Sequence, residues 1–422
     1  MTNTVKREIE TIPIPPELHR RSKLGIQAAK AELDAESRHG RRKTFYRRMA
    51  VALTAGVLLV PMAVYHSQVV ASIQKALQYV PGIGIVKEEE ISAERYVLKH
   101  PVTAQIGRGE IAVTGMMVDD EMTLISISGT KTAKLEHVIV RNGQGTEYTV
   151  NSSMSSWSPG EWSASFWFQG KMIAGGQVEL IAGDNPQTTI PLTLVKAESF
   201  DSYGDMGETM SVNGVTITAV ASRTGEKAMI SLLSQQPKEL RIADYGLYGV
   251  HSDQKLTVTD ESGTGYDIER IHSLASPARE FYFPISVNGA KNYTLTIPEI
   301  NTEYADQTTV QVPTVTVDHL NQTFEIAGFP VTIDRTERIG DNQLRLYVDL
   351  HYDEHAPRSL HSFRVDGMSH SAKMNERTGE IEYVQFDIDP GSKKIKLKIV
   401  RPEVLLRGPW TFRLPAERYF GS

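Results

Sequence analysis

The 26 positions 49–74 contain no Asp, Glu, Lys or Arg, in a chain of 422 residues of which 23% are charged. A helix rises about 1.5 Å per residue, so roughly 20 residues cross a hydrocarbon layer. The apolar run from Met49 to Tyr65, with its uncharged continuation to Val70, reaches that length. Its Leu and Val residues favour insertion, whereas Thr54, Gly56 and Pro61 oppose it. A proline is tolerated in a membrane helix and kinks it. A buried core helix is the poorer reading, because Arg41, Arg42, Lys43, Arg47 and Arg48 crowd one end. A cleaved signal peptide starts with a short basic segment, and here 48 residues come first, although Val69-x-Ala71 has the form of a cleavage site. The expectation is one uncleaved transmembrane helix at residues 49–70.

The flanks orient it. Residues 1–48 carry 12 Lys and Arg against 6 Asp and Glu, a net +6, and the remainder carries 33 against 45, a net −12. Positive flanks stay in the cytoplasm. Residues 1–48 are therefore expected inside the cell membrane and the bulk of the chain outside it. An acidic exterior speaks against nucleic acid as a partner. There is no Cys, so thiolate zinc sites and disulfides are excluded. An exported chain without disulfides suits a Gram-positive envelope.

Inside, Pro13-Ile-Pro-Pro16 opens a helix over about 16–38, with Glu17 in the first turn where the helix dipole favours an anion. Leu18, Ser22, Ile26, Ala29 and Leu33 share one narrow face by their spacing. So thin a stripe builds no core in 48 residues. It rests on the membrane, docks in a partner's groove, or belongs to a soluble tether. After the span, Val69, Val70, Ile73, Leu77 and Val80 continue a helical face as far as Pro81-Gly82. Residues 71–92 are therefore read as a juxtamembrane helix and linker.

From about residue 93 the period changes to two, the mark of strands. Only Ser234 to Tyr248 leaves room for a short helix. An internal repeat is visible. Ile111-Ala-Val-Thr, Val215-Thr-Ile-Thr and Val331-Thr-Ile-Asp open three copies, each followed by a turn and a second apolar strand. Mid-copy hairpins correspond, with Asn142-Gly143 and Asp366-Gly367 as turn dipeptides. An aromatic strand recurs at Trp162–Phe168, Phe281–Phe283 and Tyr383–Phe386, where core packing is favoured over sugar stacking. Final strands follow at 177–181, 293–297 and 395–399. Copies of about 100 residues with about seven strands have the size of immunoglobulin-like sandwiches. The expected fold is mainly β: tandem sandwiches at 93–198, 199–313 and 314–422, outside the membrane. A second partition fuses the last two copies.

Chemistry is sparse. His351-Tyr-Asp-Glu-His355 matches the inverted zincin pattern H-x-x-E-H. That chemistry needs both His on one helical face, whereas this run follows a strand and precedes Pro357. His361 and His370 are read as loop residues. The serines at 152–158 are read as a polar loop without a nucleophile elbow. Asp119-Asp120-Glu121 reads as a hairpin turn, and Asp387 and Asp389 as one strand face. No P-loop or dinucleotide fingerprint occurs. The expectation is no enzyme, no metal and no cofactor.

Three stretches carry a resemblance: Ile14-Pro-Pro-Glu-Leu-His-Arg-Arg-Ser-Lys-Leu-Gly-Ile-Gln-Ala-Ala-Lys30, Tyr79-Val-Pro-Gly-Ile-Gly-Ile-Val86 and the β-rich run from Gly109 to Ser128. They resemble a membrane-anchored, anti-sigma-factor-like family of Gram-positive spore formers with extracellular domains of unknown function. The resemblance covers about the first 130 residues. It implies a cytoplasmic segment that holds a sigma factor and an exterior that senses an envelope ligand, with no catalytic residue. Many anti-sigma factors bind zinc through a His/Cys motif, and this chain lacks Cys, so any such contact is made by an unmetallated helix. The competing expectation is a surface binding or structural module of β repeats without a regulatory role.

Overall fold

The computed structural model describes residues 77–87 and 95–420, apart from 173–175, 185–186, 250, 252–253, 272–276 and 286–288. All belong to one unit, Lys75–Ser422. The expected span at 49–70, and the cytoplasmic face of Leu18, Ser22, Ile26, Ala29 and Leu33, lie outside the described residues. Among the described residues no helix is long and apolar enough to cross a membrane.

The described chain is mainly β and forms several sheets. It opens with a hairpin, β1 (Leu77–Val80) and β2 (Gly84–Lys87). This corrects the helical reading of Leu77 and Val80. Pro81-Gly82 is a turn dipeptide, and Gly82 sits at φ +72°, a conformation open mainly to glycine. The apolar period that suggested a helix instead buries Val80 on one face of a strand.

The first repeat runs through β3 (Tyr96–Leu98), β4 (Val102–Ile106), β5 (Gly109–Val118), β6 (Met122–Thr130), β7 (His137–Asn142), β8 (Glu147–Ser158), β9 (Glu161–Gln169), β10 (Gln177–Ala182) and β11 (Thr188–Lys196). The order β3-β11-β10-β7-β8-β9-β6-β5 returns to β3, so the hydrogen bonding closes on itself and leaves few free edges. Alternate residues point inward: Ile111 and Val113, Ile125 and Ile127, Trp162 and Phe166, Leu180 and Ile190 form one buried cluster. The serines at 152–158 lie in strand β8, hydrogen-bonded along β9, not in a loop.

The second repeat follows β12 (Ser199–Phe200) and a single-turn helix α1 (Tyr203–Met206). Its strands are β13 (Glu208–Val212), β14 (Val215–Thr224), β15 (Lys227–Gln235), β16 (Leu240–Asp244), β17 (Thr257–Asp260), β18 (Gly265–Tyr266), β19 (Glu269–Arg270), β20 (Glu280–Pro284), β21 (Asn292–Tyr304) and β22 (Gln307–Pro313). The short helix expected between Ser234 and Tyr248 is absent, because Leu240 and Ile242 alternate inward from β16. The third repeat has β23 (Gln322–Ile326), β24 (Phe329–Ile339), β25 (Gln343–Asp349), β26 (Arg358–Val365), β27 (His370–Met374), β28 (Ile381–Asp387) and β29 (Lys394–Pro415), before α2 (Ala416–Tyr419). Asp366-Gly367 does not close a hairpin: β26 pairs with β29, whereas β27 pairs with β28.

The internal repeat is a repeat of pairing. The orders β4-β5-β6-β9, β13-β14-β15-β20 and β23-β24-β25-β28 correspond strand for strand, and the last strand of each is the recurring aromatic one. The closing strands differ. In the first repeat β10 and β11 form a hairpin. In the later two the hairpins open and exchange partners. β21 pairs with the second half of β29, Asn292 opposite Pro415 through Glu303 opposite Glu403. β22 pairs with the first half of β29, Gln307 opposite Val400 through Pro313 opposite Lys394. Each of these repeats thus donates its last strand to the other. One apolar cluster, from Val215 to Phe420, accordingly serves both, and the 313/314 boundary falls within this shared core.

Trp410 anchors the donated strand. It is fully buried, and its indole donates to the Val215 carbonyl at 3.1 Å. Trp410→Ala should cost about 3–5 kcal/mol. Hydrogen exchange read by mass spectrometry should then show faster exchange in both 208–313 and 322–415, with 96–196 unchanged. Loss confined to 322–415 would contradict the exchange.

Candidate functional site

The hairpin β1–β2 is the first described element after the expected span, and it is wedged into a seam. On one side it meets the first repeat: a Cβ on Gly82 would run into the Thr114 carbonyl, and one on Gly115 into that of Pro81. Val80 packs with Val97, Met117 and Ala197. On the other side it meets the second repeat. Tyr79 donates its hydroxyl to Ser231, the Gly82 amide donates to Glu280 at 3.2 Å, and Arg279 donates to the Ile83 carbonyl at 2.7 Å. β1 also pairs with β12, which joins the two repeats.

Two buried polar groups hold the wedge. Arg95 donates to Gln78 on the hairpin and forms an ion pair with Asp119 at 3.2 Å, with both charged side chains under one-tenth exposed. Asp119 also accepts the amides of Glu121 and Met122, which fits the turn expected there. Glu280, 3% exposed, accepts from Ser231 at 3.1 Å. Burial, with the Glu280 charge beside it, holds the Tyr79 phenol well above its ordinary pKa, so it remains a donor. Sequence reasoning missed Arg95 and Glu280 because their partners are distant in the chain. The Pro81-Gly82 dipeptide was the available signal for the hairpin.

A second cluster lies where the exchanged strands cross. The Glu299 carboxylate, 4% exposed, faces His251 at 3.1 Å and Arg407 at 3.5 Å. Arg407 donates to the Tyr352 hydroxyl at 2.7 Å. His361 lies 3.1 Å from the Asn301 side-chain oxygen and 3.8 Å from Glu403. His251–Glu299 lies within the second repeat, and His251 also reaches the third at the Thr378 carbonyl, 2.8 Å away. The other contacts join the second repeat to the third or fix β29 against its neighbours, so the cluster works as a latch. Burial pushes the His361 imidazole down to about 4, against the pull of Glu403.

The inverted zincin pattern is not assembled. His351 sits at φ +51° after β25, and His355 is exposed beside Glu354, which pairs with Arg377 at 2.9 Å. Among the described residues no group of three or more His, Asp or Glu is placed to hold a metal ion. A shallow cavity of about 280 Å³ lies on the third repeat, lined by Asp334, Arg335, Tyr347, Asp349, Glu380 and Glu382. The Arg335 guanidinium lies 3.7 Å over the Tyr347 ring. Of the aromatic strand in the first repeat, Trp162 and Phe166 are core, whereas Trp167 is 46% exposed and Trp157, on the neighbouring strand, 70%.

No family model and no curated protein matches the chain. Among solved structures it is similar to a conserved domain protein from Bacillus anthracis, at 10% identity and a TM-score of 0.19, over 53% of this chain and 83% of that one. An uncharacterized protein from Listeria monocytogenes matches at 10% identity and 0.13, and a cycloalternan-forming enzyme from the same organism at the same values. This chain spans 29% of each Listeria protein, and they align with 67% and 68% of it. Likenesses at these scores carry no argument about fold or activity.

Two outcomes follow. Arg95→Ala leaves Asp119 buried without its cation, which costs roughly 3–5 kcal/mol, so amides 77–87 should exchange faster. Lys99→Ala, which removes the exposed partner of Glu198, should not change them. For His361, the unfolded chain takes its proton near pH 6.5 and the folded chain only near 4. Its contribution is complete above about 6.5 and is lost as pH falls toward 4, by at most roughly 3 kcal/mol. Urea unfolding at a series of pH values should show this slope, and His361→Gln should flatten it.

Proposed function

We propose that the chain is a single-pass protein of the cell envelope, non-enzymatic and anti-sigma-factor-like. Its span at 49–70 places residues 1–48 in the cytoplasm, where the face of Leu18, Ser22, Ile26, Ala29 and Leu33 binds a sigma factor. Its exterior, read as immunoglobulin-like sandwiches with the last two fused by strand exchange, engages an envelope ligand.

The observation that carries this reading is the wedged hairpin. A surface module on an incidental tether needs only a flexible join to its anchor. Here the chain next to the expected span is clamped by the first two repeats at once, through Arg95, Tyr79 and Glu280. A shift of one repeat against the other would therefore act directly on the segment leading to the membrane. That coupling is what a transmembrane regulator requires, because a ligand shifts an equilibrium only where it distinguishes two arrangements.

The test is topology with partner capture, using the full chain tagged at its N-terminus. Protease on intact cells should spare the tag, and a sigma factor should co-purify. Leu18→Asp with Leu33→Asp should abolish that capture and leave the exterior folded. A protected tag with no cytosolic partner would favour the surface module.

A further inference from the structure

Each repeat offers one place for a closing strand, and the three places correspond. In the first repeat β10 lies between β7 and its own closing strand, β11. In the second, β21 lies between β17 and residues 403–415 of β29. In the third, residues 394–400 of β29 lie between β26 and β22. The counterparts of β11 are therefore β22 and 403–415, and each sits in the other's repeat. Loop length explains which repeat closes on itself. Five residues, 183–187, join β10 to β11, and Gly183 takes φ +79°. Two residues, Ala305-Asp306, join β21 to β22, and two, Arg401-Pro402, join the halves of β29. A two-residue hairpin of type I′ needs positive φ at both central residues, and one of type II′ a glycine at the first. Neither pair contains glycine. The Cβ of Ala305 disfavours positive φ, and the ring of Pro402 holds φ near about −65°. Neither pair suits a hairpin, and a hinge too short to turn back sends its strand into another repeat.

The second repeat also waits for its strand. Residue 403 follows residue 304, the end of β21, by 99 positions. At roughly 5–20 residues per second, synthesis leaves β21 without its closing strand for about 5–20 s. Another chain at the same stage meets an open site. The contacts that hold the strand lie between it and the second repeat alone, so they are the same whichever copy carries it. The Trp410 indole donates to the Val215 carbonyl, the Thr302 hydroxyl donates to the Val404 carbonyl, and Glu299 faces Arg407.

We propose that the acceptor site of the second repeat takes this strand from a second copy of the chain. The product is a dimer in which 403–415 of each copy complete the second repeat of the other. The chains part at the hinges 305–306 and 401–402, and the ladder itself is unchanged. Tethering raises the effective concentration of the strand in cis, so the monomer is the major product and the dimer the minor one.

The test exploits a chain without Cys. Thr296 and Thr411 are register partners on the outward face of the ladder. Opposed residues of an antiparallel pair lie about 4.5–5.5 Å apart, within the reach of a disulfide. Two full chains with different tags, one carrying Thr296→Cys and the other Thr411→Cys, are co-expressed and oxidised. A covalent heterodimer is expected on a non-reducing gel. The same two chains purified separately and then mixed should lack it, because each acceptor is already filled. A heterodimer of equal yield in the mixed sample means contact between finished surfaces and overturns the proposal. One chain carrying both substitutions should link internally. No heterodimer beside that internal link also overturns the proposal, and loss of both overturns the exchanged ladder on which it stands.

Discussion

The later two-thirds of the exterior depends on one ladder: β21 and β22 laid antiparallel along β29, from Asn292 opposite Pro415 to Pro313 opposite Lys394. Neither partner is a hairpin with itself. β22 and the second half of β29 each leave their own repeat and complete the sheet of the other, whereas β21 stays beside β16 and β17. The bend in β29 comes at Arg401-Pro402, with Arg401 at φ +50°. Apolar burial follows the exchange. Trp410, Phe412 and Leu414 from the chain's end fill the second repeat, beside Phe283 and Tyr293, and Phe420 closes over the same rings. Two repeats that share strands in this way share one stability.

The first repeat has no such exchange. Its β10–β11 hairpin is intact, and its ring of strands closes on itself. Its attachment to the second repeat relies on the wedge of β1–β2. Close backbone approach at Gly82 and Gly115 makes that contact possible, since any side chain there would strike a carbonyl. The molecule therefore joins its repeats by two different means, an inserted hairpin at the first joint and shared strands at the second.

Much of the local β pattern was legible in the sequence, and the joints were not. Period-two runs located the strands that begin each copy, the aromatic strand and the final strand, because one buried face imposes alternation. The repeat was legible as well, since corresponding strands meet corresponding neighbours. The exchange was invisible, because Lys394–Pro415 shows the same alternation whichever repeat it completes. The first strand of the hairpin, 77–80, reads as the end of a helix because Leu77 and Val80 fit a helical spacing within a run too short to separate the two periods. Arg95 and Glu280 carry no local signal of burial and Asp119 reads only as a turn residue, because the partners that hold them are remote in sequence. Exposed Trp167 falls in the same aromatic run as core Trp162 and Phe166, since composition does not distinguish the two faces of a strand.

The polar groups at the crossing have a physical reason beyond stability. Side chains alternate along a strand with period two, so a slip of two residues along the long ladder would keep every apolar residue facing the core. Apolar packing alone discriminates weakly against that slip. Polar partners discriminate strongly. Thr302 donates to the Val404 carbonyl at 2.7 Å, Glu299 meets Arg407, and His361 lies between Asn301 and Glu403. Two residues of slip, about 7 Å, would part Thr302 from Val404, Glu299 from Arg407 and His361 from one of its two partners, while leaving Glu299 buried. An unpaired buried charge is far more costly than a displaced methyl group. A buried ion pair contributes little net stability when made and imposes a large penalty when broken. At a joint where two near-equivalent repeats exchange strands, that asymmetry selects a single register.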